Sequence, residues 1–254
     1  MQLNLPMVKR VARRLAVRRA PDFHSLASRE WQLCAPEQKV VPPAIHLPGA
    51  LDKVRALSPW RNWDTERLLV AGGRVNHAAS TAHLVTDVDL VGAYLYRGSA
   101  KLQPGYGEER WFNEEDELPV VLDAAHLVTS HSGSHFFGTF MLDDLPLGLI
   151  PEAGDTCIAM MSKPYQHEAG YRELMNLPRR REVRRARIRK LICYTDFAQN
   201  SYKRERYDQL RSRMRQALGL QWQRGTKPGI YLRRGAAGEP RVLCNQAALE
   251  SALQ

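Results

Sequence analysis

The sequence predicts an α/β fold with a parallel, doubly wound sheet preceded by short antiparallel strands. From residue 120 to residue 219, apolar strand-like runs alternate with helical patterns, which is typical of parallel sheets. Before them, residues 67–102 alternate apolar and polar side chains between glycine turns, which is typical of antiparallel strands. The chain has 254 residues, 44% of them hydrophobic, so it can fill one large core or two small ones.

The first predicted element is a short basic amphipathic helix in "MVKRVARRLAVRRAPDF". Val8, Val11, Ala12 and Leu15 fall on one helical face, and Pro21 ends the pattern. Such a helix can lie on an anionic membrane, where each basic residue contributes about 1 kcal/mol. A solvated helix without a partner also explains the pattern, and both interpretations stay open. The basic residues expected to make the membrane contact include Arg10, Arg13, Arg14 and Arg18.

The next segment, residues 21–63, is spaced by prolines and predicts an irregular, extended lead-in. In the strands that follow, Asp87 and Asp89 form the Asp-x-Asp pattern with which many sugar-transferring enzymes hold a divalent metal on a nucleotide diphosphate. Strand alternation places both carboxylates on one face, opposite Val88, so two solvent-facing side chains explain the pattern too.

The second half begins after an acidic loop, "GYGEERWFNEEDELP". "VVLDAAHLVTS" predicts a strand, and the stretch after it predicts a helix. The pattern continues with a strand ("DTCIAMMS"), a helix ("HEAGYRELMNL"), a basic turn, a strand ("RIRKLICYT") and a long helix ("SYKRERYDQLRSRMRQALG"). The helix after the first strand is predicted from apolar residues at three- and four-residue steps, namely Phe136, Phe137, Phe140, Met141, Leu145 and Leu149.

The stretch "SHSGSH" at residues 130–135 lies between a predicted strand and this helix. Ligands bind α/β sheets at that place, and the small residues would let a ligand approach free backbone N–H groups. His135 would lie at the edge of such a site. Asp143 lies about two turns further along, and Asp144 lies about 100° around the helix from it, so the two cannot face the same pocket. A half-exposed surface helix is the alternative.

Charge and composition limit the partners and the compartment. The net charge of +10 indicates an anionic partner: nucleic acid, a phosphorylated small molecule, an acidic polysaccharide or a membrane surface. The cysteines have no paired spacing, which favours a reduced, cytosolic compartment without disulfides or zinc. No apolar run reaches the roughly 20 residues of a membrane span, no signal peptide is visible, and the histidines predict no metal site. The cysteines are Cys34, Cys157, Cys193 and Cys244.

The stretch "HFFGTFMLDDLP" resembles the motif of glycosyltransferase family 61, which includes capsular polysaccharide biosynthesis enzymes. In that motif an aromatic residue and glycine precede His-Trp-Leu-Leu-acid and then Leu-Pro-Arg. Here Thr139 stands at the histidine position and Leu147 at the arginine position, and both are departures. The matching residues are Phe137, Gly138, Phe140, Met141, Leu142, Asp143, Leu145 and Pro146.

Two further stretches extend the resemblance over roughly residues 80–254. "LICYTDFAQNSYKRERYDQLRSRMR" is similar to the family's strand, turn and helix. "KPGIYLRRGAAGEPRVLCNQAAL" is similar to its Tyr-x-x-Arg, Arg and Asn-Glu segment, with Gln246 in place of the usual glutamate. The matching residues there are Tyr231, Arg234, Arg241 and Asn245.

The resemblance implies a Rossmann-like parallel-sheet domain of a GT-B-type fold. Residues 1–63 would be the basic helix and lead-in, residues 64–225 the acceptor-side domain, and residues 226–254 the start of a nucleotide-sugar-binding domain that is largely missing. The chain would then be a fragment, or a partner would complete it. The expected location is the cytoplasm, with peripheral contact at the inner membrane surface.

The resemblance also implies the chemistry: transfer of a sugar from a nucleotide-sugar donor to a polysaccharide or glycolipid acceptor. Asp143 or His135 would be the base that deprotonates the acceptor hydroxyl. Arg234 and Arg241 would stabilise the leaving diphosphate, although a structural role in bridging the domains explains them equally well. A GT-B arrangement implies no metal and no cofactor.

The rival hypothesis is a basic binding protein without catalytic activity. The run "RRREVRRARIRK", residues 179–190, resembles nucleic-acid patches, but it contains no aromatic residue for base stacking and belongs to no recognised reader motif. We expect a surface loop that faces an acidic glycan or a lipid phosphate; a solvated face without a partner is the alternative. The residues expected there are Arg180, Arg184 and Arg185.

Overall fold

The computed structural model describes residues 2–16, 20–113, 119–160, 167–219 and 245–253. The chain divides into two units, Met1–Leu220 and Gln221–Gln254. The described part of the second unit contains one helix, Gln246–Leu253. None of the helices in these described ranges combines the length and the apolar character needed to cross a membrane.

The first unit begins with helical and antiparallel elements. Its N-terminal helices are α1 (Leu5–Leu15) and α2 (Trp63–Ala71), with 3-10 turns at His24–Leu26 and Leu51–Lys53. The strands up to the acidic loop are β1 (Gln2–Leu3), β2 (Arg29–Cys34), β3 (Glu37–Val41), β4 (Gly73–His77), β5 (Ser80–Val91), β6 (Tyr94–Arg97), β7 (Ala100–Leu102) and β8 (Phe112–Asn113).

Strands and helices alternate in the rest of the unit, as predicted, except that an additional strand in the predicted basic turn, β11, precedes β12 with no helix between them. The strands are β9 (Val120–Leu127), β10 (Cys157–Ala159), β11 (Arg180–Glu182) and β12 (Arg185–Thr195). The helices are α3 (His131–His135), α4 (Phe137–Thr139), α5 (Leu145–Leu147), α6 (Glu168–Leu174) and α7 (Ser201–Ala217), and a π-helical turn at Phe140–Asp144 joins α4 to α5.

Eight strands form one mixed sheet in the order β11-β10-β9-β12-β5-β6-β7, with β2 beside the other half of β5. The strands β11, β10, β9 and β12 are parallel. All pairings of β5 and β6 are antiparallel. The α/β class is therefore confirmed, with parallel and antiparallel strands joined in a single mixed sheet.

A bend crosses the three central strands at one level. Buried residues alternate on each strand, but at this level two residues instead of one separate the buried ones: Val85 is followed by Val88 on β5, Leu122 by Ala125 on β9, and Ile188 by Leu191 on β12. The register places these changes opposite each other. Asp87 has a positive φ of 54° at this level. The pairing keeps the same register on both sides of this level, so no strand has an extra residue and the three strands change their buried face together.

The bend lets the sheet curl around its main core. A Cβ on Gly105, after β7, would lie 3.0 Å from Met160 after β10 and 3.0 Å from Ala93 before β6. Only a glycine allows this approach without displacing its neighbours. The core inside the curl includes Phe23, Leu90, Leu95, Ile158, Met160 and Ile188.

The segment predicted to be an irregular lead-in contains β2 and β3, and that prediction is wrong for residues 29–41. Its prolines lie mainly outside the strands, so the strands keep their backbone donors. The predicted strand at residues 67–71 is instead the end of α2. The chain between β3 and β4, residues 42–72, is here called the arm.

The arm contains no buried residue, and none occurs anywhere between residues 24 and 79. The strand that leads into the arm, β3, is held against α7, because the carboxylate of Glu37 accepts hydrogen bonds from the backbone N–H of Ser201 at 3.0 and 3.1 Å. Eight large apolar side chains of the arm are exposed: Ile45, Leu47, Leu51, Val54, Trp60, Trp63, Leu68 and Leu69.

The predicted N-terminal helix is confirmed, but its packing differs from the expectation. Met7 and Arg10 are buried, and the guanidinium of Arg10 lies 3.2 Å from the carboxylate of Glu109. Arg10 therefore faces the protein, while Leu15 at the end of the apolar face is 86% exposed. The helix packs through Met7 and through this buried ion pair rather than through the predicted apolar stripe.

Candidate active site at the carboxyl ends of the parallel strands

Polar side chains meet where the parallel strands β9 and β12 end. Thr129 and Ser130 follow β9, and Asp196 follows β12. The helical segment 131–147 and the first turns of α7 pack over these residues. Ligands of α/β sheets bind at the carboxyl ends of the strands, so this is the candidate active site.

The predicted base Asp143 is held by a lysine. The ammonium of Lys203, with no exposed side-chain surface, lies 2.5 Å from Oδ1 of Asp143 and 2.7 Å from the carbonyl oxygen of Asp196. The side chain of Asp143 is 16% exposed. The buried lysine therefore holds one carboxylate oxygen, while part of the Asp143 side chain reaches the surface.

Asp196 is the centre of the supporting network. Its two oxygens accept hydrogen bonds from Arg206 Nη2 at 2.8 Å each, and Ser80 donates to Oδ1 at 2.6 Å. Arg206 also donates to the carbonyl oxygen of Pro146 at 3.2 Å. The carboxylates of Asp143 and Asp196 thus balance the charges of Lys203 and Arg206. A buried ion group of this kind fixes geometry more than it stabilises the fold.

Asp144 points away from Asp143, as the helical spacing predicted. Its carboxylate accepts hydrogen bonds from the N–H of Ser130 at 3.0 Å, from Ser130 Oγ at 2.7 Å and from Thr129 Oγ1 at 2.9 Å. Burial raises the pKa of Asp144 to about 6, although these hydrogen bonds and the charge of Arg180 oppose the shift. Asp144 is therefore a buried structural carboxylate between β9 and the helical segment.

This carboxylate occupies the place where the sequence predicted an open ligand site. Ser130 Oγ accepts a hydrogen bond from the N–H of Gly133 at 3.0 Å, and Asp144 binds Ser130. A Cβ on Gly133 would overlap the Asp144 carboxylate. The small residues of "SHSGSH" therefore allow an internal contact, in which the N–H groups of Ser130 and Gly133 are bonded within the chain rather than free for a ligand.

The continuous helix predicted over residues 136–149 is interrupted. Phe136 is extended, with φ −125° and ψ 122°, and its ring is exposed. Further along, the N–H of Leu145 bonds to the carbonyl oxygen of Phe140, five residues back, which makes the π-helical turn. Phe140 and Leu145 are buried, as predicted. The turn directs Asp143 towards α7 and Asp144 towards β9.

His135 lies in a separate aromatic group at the surface. Its Nδ1 is 2.8 Å from the carbonyl oxygen of His131, and its ring lies 4.5 Å from the ring of Tyr106. A carbonyl oxygen only accepts, so Nδ1 is the donor in this contact. Exposed Phe136 and Phe137 follow in the chain.

The basic run lies on strands, not on the predicted loop, because its apolar residues Val183, Ala186 and Ile188 fill the core. Arg180 is largely buried and ion-paired with Glu168, so it is not part of a free anionic-ligand surface. Arg184 is exposed and Arg185 is half-buried. Further along β12, Arg187 and Arg189 pair with Asp89 at 3.7 Å and with Asp123 at 3.2 Å.

Asp87 and Asp89 share the outer face of β5, opposite the buried Val88, as predicted. Burial raises the pKa of Asp89, and the charge of Arg187 opposes this. Within the described ranges, no group of three or more His, Cys, Asp or Glu side chains is arranged to hold a metal ion. Arg234 and Arg241, predicted to bind the donor phosphates, lie outside the described residues, as does Tyr231.

Comparison with known protein families, curated proteins and solved structures gives no significant match.

The residues that position Asp143 were not found from the sequence: Lys203, Arg206, Asp196 and Ser80. A signal for two of them exists, because the buried stripe of α7 is Lys203, Arg206 and Leu210 at three- and four-residue steps. Charged residues at the core positions of a helix indicate an internal ion network.

Proposed function

We propose that this protein is a glycosyltransferase that transfers a sugar from a nucleotide-sugar donor to a polysaccharide or glycolipid acceptor in cell-surface polysaccharide biosynthesis. The resemblance of residues 136–147 to glycosyltransferase family 61 supports this function. The geometry of Asp143, the residue that matches the acid of that motif, supports it independently. The α/β fold is compatible with a Rossmann-like domain of a GT-B enzyme, and we propose that assignment as well.

The observation that carries the proposal is the contact between Asp143 and Lys203. A general base must be fixed in position and must still reach its substrate. Lys203 fixes one carboxylate oxygen from a buried position, and the side chain stays partly exposed at the carboxyl ends of the strands. Asp144, in contrast, is enclosed and holds Thr129 and Ser130.

In the proposed reaction, Asp143 accepts the proton of an acceptor hydroxyl. The hydroxyl oxygen forms a bond to the anomeric carbon of the donor sugar, and the bond from that carbon to the diphosphate breaks. The diphosphate leaves with the bonding electrons, and positive charge stabilises it. Arg234 and Arg241 remain our candidates for that charge, and His135 is the second candidate for the base.

The acceptor would lie against the exposed aromatic side chains of the same helical segment. Binding sites commonly combine aromatic surfaces with a few oriented polar groups. Phe136 and Phe137 provide such a surface next to His135 in the chain. We further propose peripheral contact with the inner membrane surface, where lipid-linked acceptors are held, with Arg184 and Arg185 near the anionic groups.

The test is sugar transfer by the protein in its complete, active form, supplied with a panel of nucleotide sugars and extracts of acceptor glycans or glycolipids. Released nucleoside diphosphate and labelled product would be measured together. Asp143→Asn should lower turnover per folded molecule by about a hundredfold or more, within the usual range for general bases. Asp123→Asn, which changes an exposed acid on β9, is the matched control and should keep full turnover.

Three outcomes separate the alternatives. Full turnover in Asp143→Asn, with loss in His135→Gln, would move the role of base to His135. Failure to bind any nucleotide sugar, with a salt-dependent shift of unrelated DNA sequences, would favour the basic binding protein. The ion pairs of Arg180, Arg187 and Arg189 with acidic side chains argue against that rival, because they neutralise part of the basic run.

A further inference from the structure

Two contacts from α7 hold the turn that carries Asp143. Lys203 Nζ lies 2.5 Å from Asp143 Oδ1, and one helical turn later Tyr207 Oη donates to the carbonyl oxygen of Leu142 at 2.6 Å. Both contacts therefore come from one face of α7 and reach neighbouring residues of the helical segment. Burial raises the pKa of the Tyr207 phenol, and the negative charge of Asp143 adds to this effect. Tyr207 thus lies close to the proposed base.

Gln199 reaches the same place from the loop before α7. It lies four residues before Lys203, next to the N-cap Asn200, and its Oε1 lies 3.4 Å from Tyr207 Oη, four residues after Lys203. The side chains of Gln199 and Tyr207 therefore meet alongside Lys203. Lys203 Nζ also binds the carbonyl oxygen of Asp196 at 2.7 Å, near the start of this loop. The Gln199 amide thus borders the Lys203–Asp143 pair.

The Gln199 amide is held only weakly by its neighbour. The phenol of Tyr207 has one hydrogen, and its shorter contact, to Leu142, takes that hydrogen. The 3.4 Å contact with Gln199 is longer than an ordinary O–H···O hydrogen bond. Gln199 is exposed, and its amide carries two donor hydrogens and one acceptor oxygen. A ligand that reaches Asp143 can therefore also reach this amide.

The chemistry of these groups selects an uncharged ligand with several hydroxyls. Of the Lys203–Asp143 pair only the aspartate is exposed, so an anionic group would be repelled here. An amide recognises a hydroxyl because it can both donate to it and accept from it. A sugar ring presents hydroxyls side by side, so that one can lie at the carboxylate while its neighbour lies at the amide.

We propose that Gln199 is a specificity-determining residue of the acceptor site, whose amide binds the hydroxyl beside the one that Asp143 deprotonates, on an uncharged hexose of the acceptor glycan. This inference rests on the proposed function for the role of Asp143 and adds the residue that reads the acceptor. A site built to bind a hydroxyl discriminates against a sugar that lacks it, because the polar group then has no partner.

The test is binding of the methyl glycosides of glucose, galactose, mannose and N-acetylglucosamine to the full chain, measured by saturation-transfer NMR. We expect at least one to bind, and Gln199→Leu should weaken that binding about tenfold, the effect of one lost hydrogen bond. Gln209→Leu, which changes an exposed glutamine on α7, is the matched control and should bind as the wild type does. The Tm should be unchanged in both variants, because both side chains are exposed.

Deoxy sugars identify the hydroxyl that Gln199 binds. Removing that hydroxyl from the ligand should weaken binding to the wild type about tenfold and leave binding to Gln199→Leu unchanged, because the variant has already lost the contact. Removing any other hydroxyl should weaken binding to both proteins equally. Equal losses at every position would overturn the inference, because a leucine that merely disturbs the surface has no preference for one hydroxyl.

The outcomes separate this inference from the proposed function. If none of the four glycosides binds, or if binding is unchanged in Gln199→Leu, the inference is wrong, and sugar transfer by the complete form still decides the function. Loss of binding in Phe136→Ala alone would also overturn it, and would move the acceptor to the aromatic surface. Binding that depends on Gln199, in a protein whose complete form transfers no sugar, would overturn the proposed function and leave the sugar site in place.

Discussion

Lys203 Nζ lies 2.5 Å from Asp143 Oδ1, and the lysine is completely buried. This pair joins Asp143, which the sequence suggested as the base, to α7, in which the sequence suggested no functional residue. It also changes what a substitution of Asp143 tests. Loss of its charge leaves a buried ammonium with less compensation, so an effect on stability is expected in addition to any effect on turnover.

We therefore expect Lys203→Met to lower the free energy of unfolding by about 3 kcal/mol, because it leaves Asp143 without its cation. Asp143→Asn should also destabilise, and the double variant should lose about 1–3 kcal/mol less than the sum of the two. Urea unfolding of the four proteins measures this coupling. Asp208→Asn, on the exposed face of α7, should combine additively with Lys203→Met, and additivity for Asp143 would contradict the pair.

The pKa of Asp144 predicts a pH dependence of stability. Its folded value of about 6 lies above the value of 3.8 expected in the unfolded chain. The folded state therefore binds the proton more tightly, and this contribution is present below pH 3.8 and is lost as the pH rises through 6. Its full size is about 3 kcal/mol. Asp144→Asn should make the free energy of unfolding depend less on pH over this window, whereas the exposed control Asp123→Asn should keep the wild-type dependence on pH.

Gly133→Ala should destabilise the protein by about 2 kcal/mol or more, because the new methyl group would overlap the Asp144 carboxylate. Gly138→Ala is the control: no atom lies within 4 Å of its added Cβ, and alanine favours helix by about 1 kcal/mol. Thermal unfolding should lower the Tm of the first variant and keep or raise that of the second. Equal Tm values would show that Asp144 does not occupy the space beside Gly133.

A test of membrane binding by α1 should change Arg13 and Arg14 and leave Arg10 in place. Arg10 is buried against Glu109, so its replacement would damage the fold and confuse the result. We expect Arg13→Gln with Arg14→Gln to reduce binding to anionic vesicles without changing the Tm, because both side chains are exposed. Arg10→Gln should lower the Tm. Vesicle binding that survives the double change would exclude α1 as the contact.

Local patterns predicted the fold class and most of the regular elements. The strands β9, β10 and β12 and the helices α1, α6 and α7 follow from apolar periodicity and from glycine and proline positions. The joining of β12 to β5 could not be predicted, because an antiparallel partner about a hundred residues away leaves no mark on local periodicity. The bend that crosses β5, β9 and β12 appears in the sequence only as an irregular alternation.

The candidate site, like the fold, could be predicted from the sequence only in part. Asp143 was found by its motif, and the different directions of Asp143 and Asp144 followed from helical geometry. The role of Gly133 was misinterpreted, because a small residue that admits a ligand and one that admits an internal carboxylate look the same in a sequence. Lys203 was overlooked because a lysine on a highly charged helix is usually solvated, and only the tertiary packing places it inside.

The pairing of β5 with β12 has a consequence for biosynthesis. Thr81 pairs with Thr195 and Val91 with Arg185, so β5 leaves the ribosome about a hundred residues before its neighbour. At a synthesis rate of about 5–20 residues per second, β5 is made on the order of 5–20 s before its partner strand. Its apolar residues Val85, Val88 and Leu90 lack that neighbour during this time. During that interval one edge of an apolar strand lacks its neighbour, and unpaired edges of this kind are where nascent chains associate wrongly.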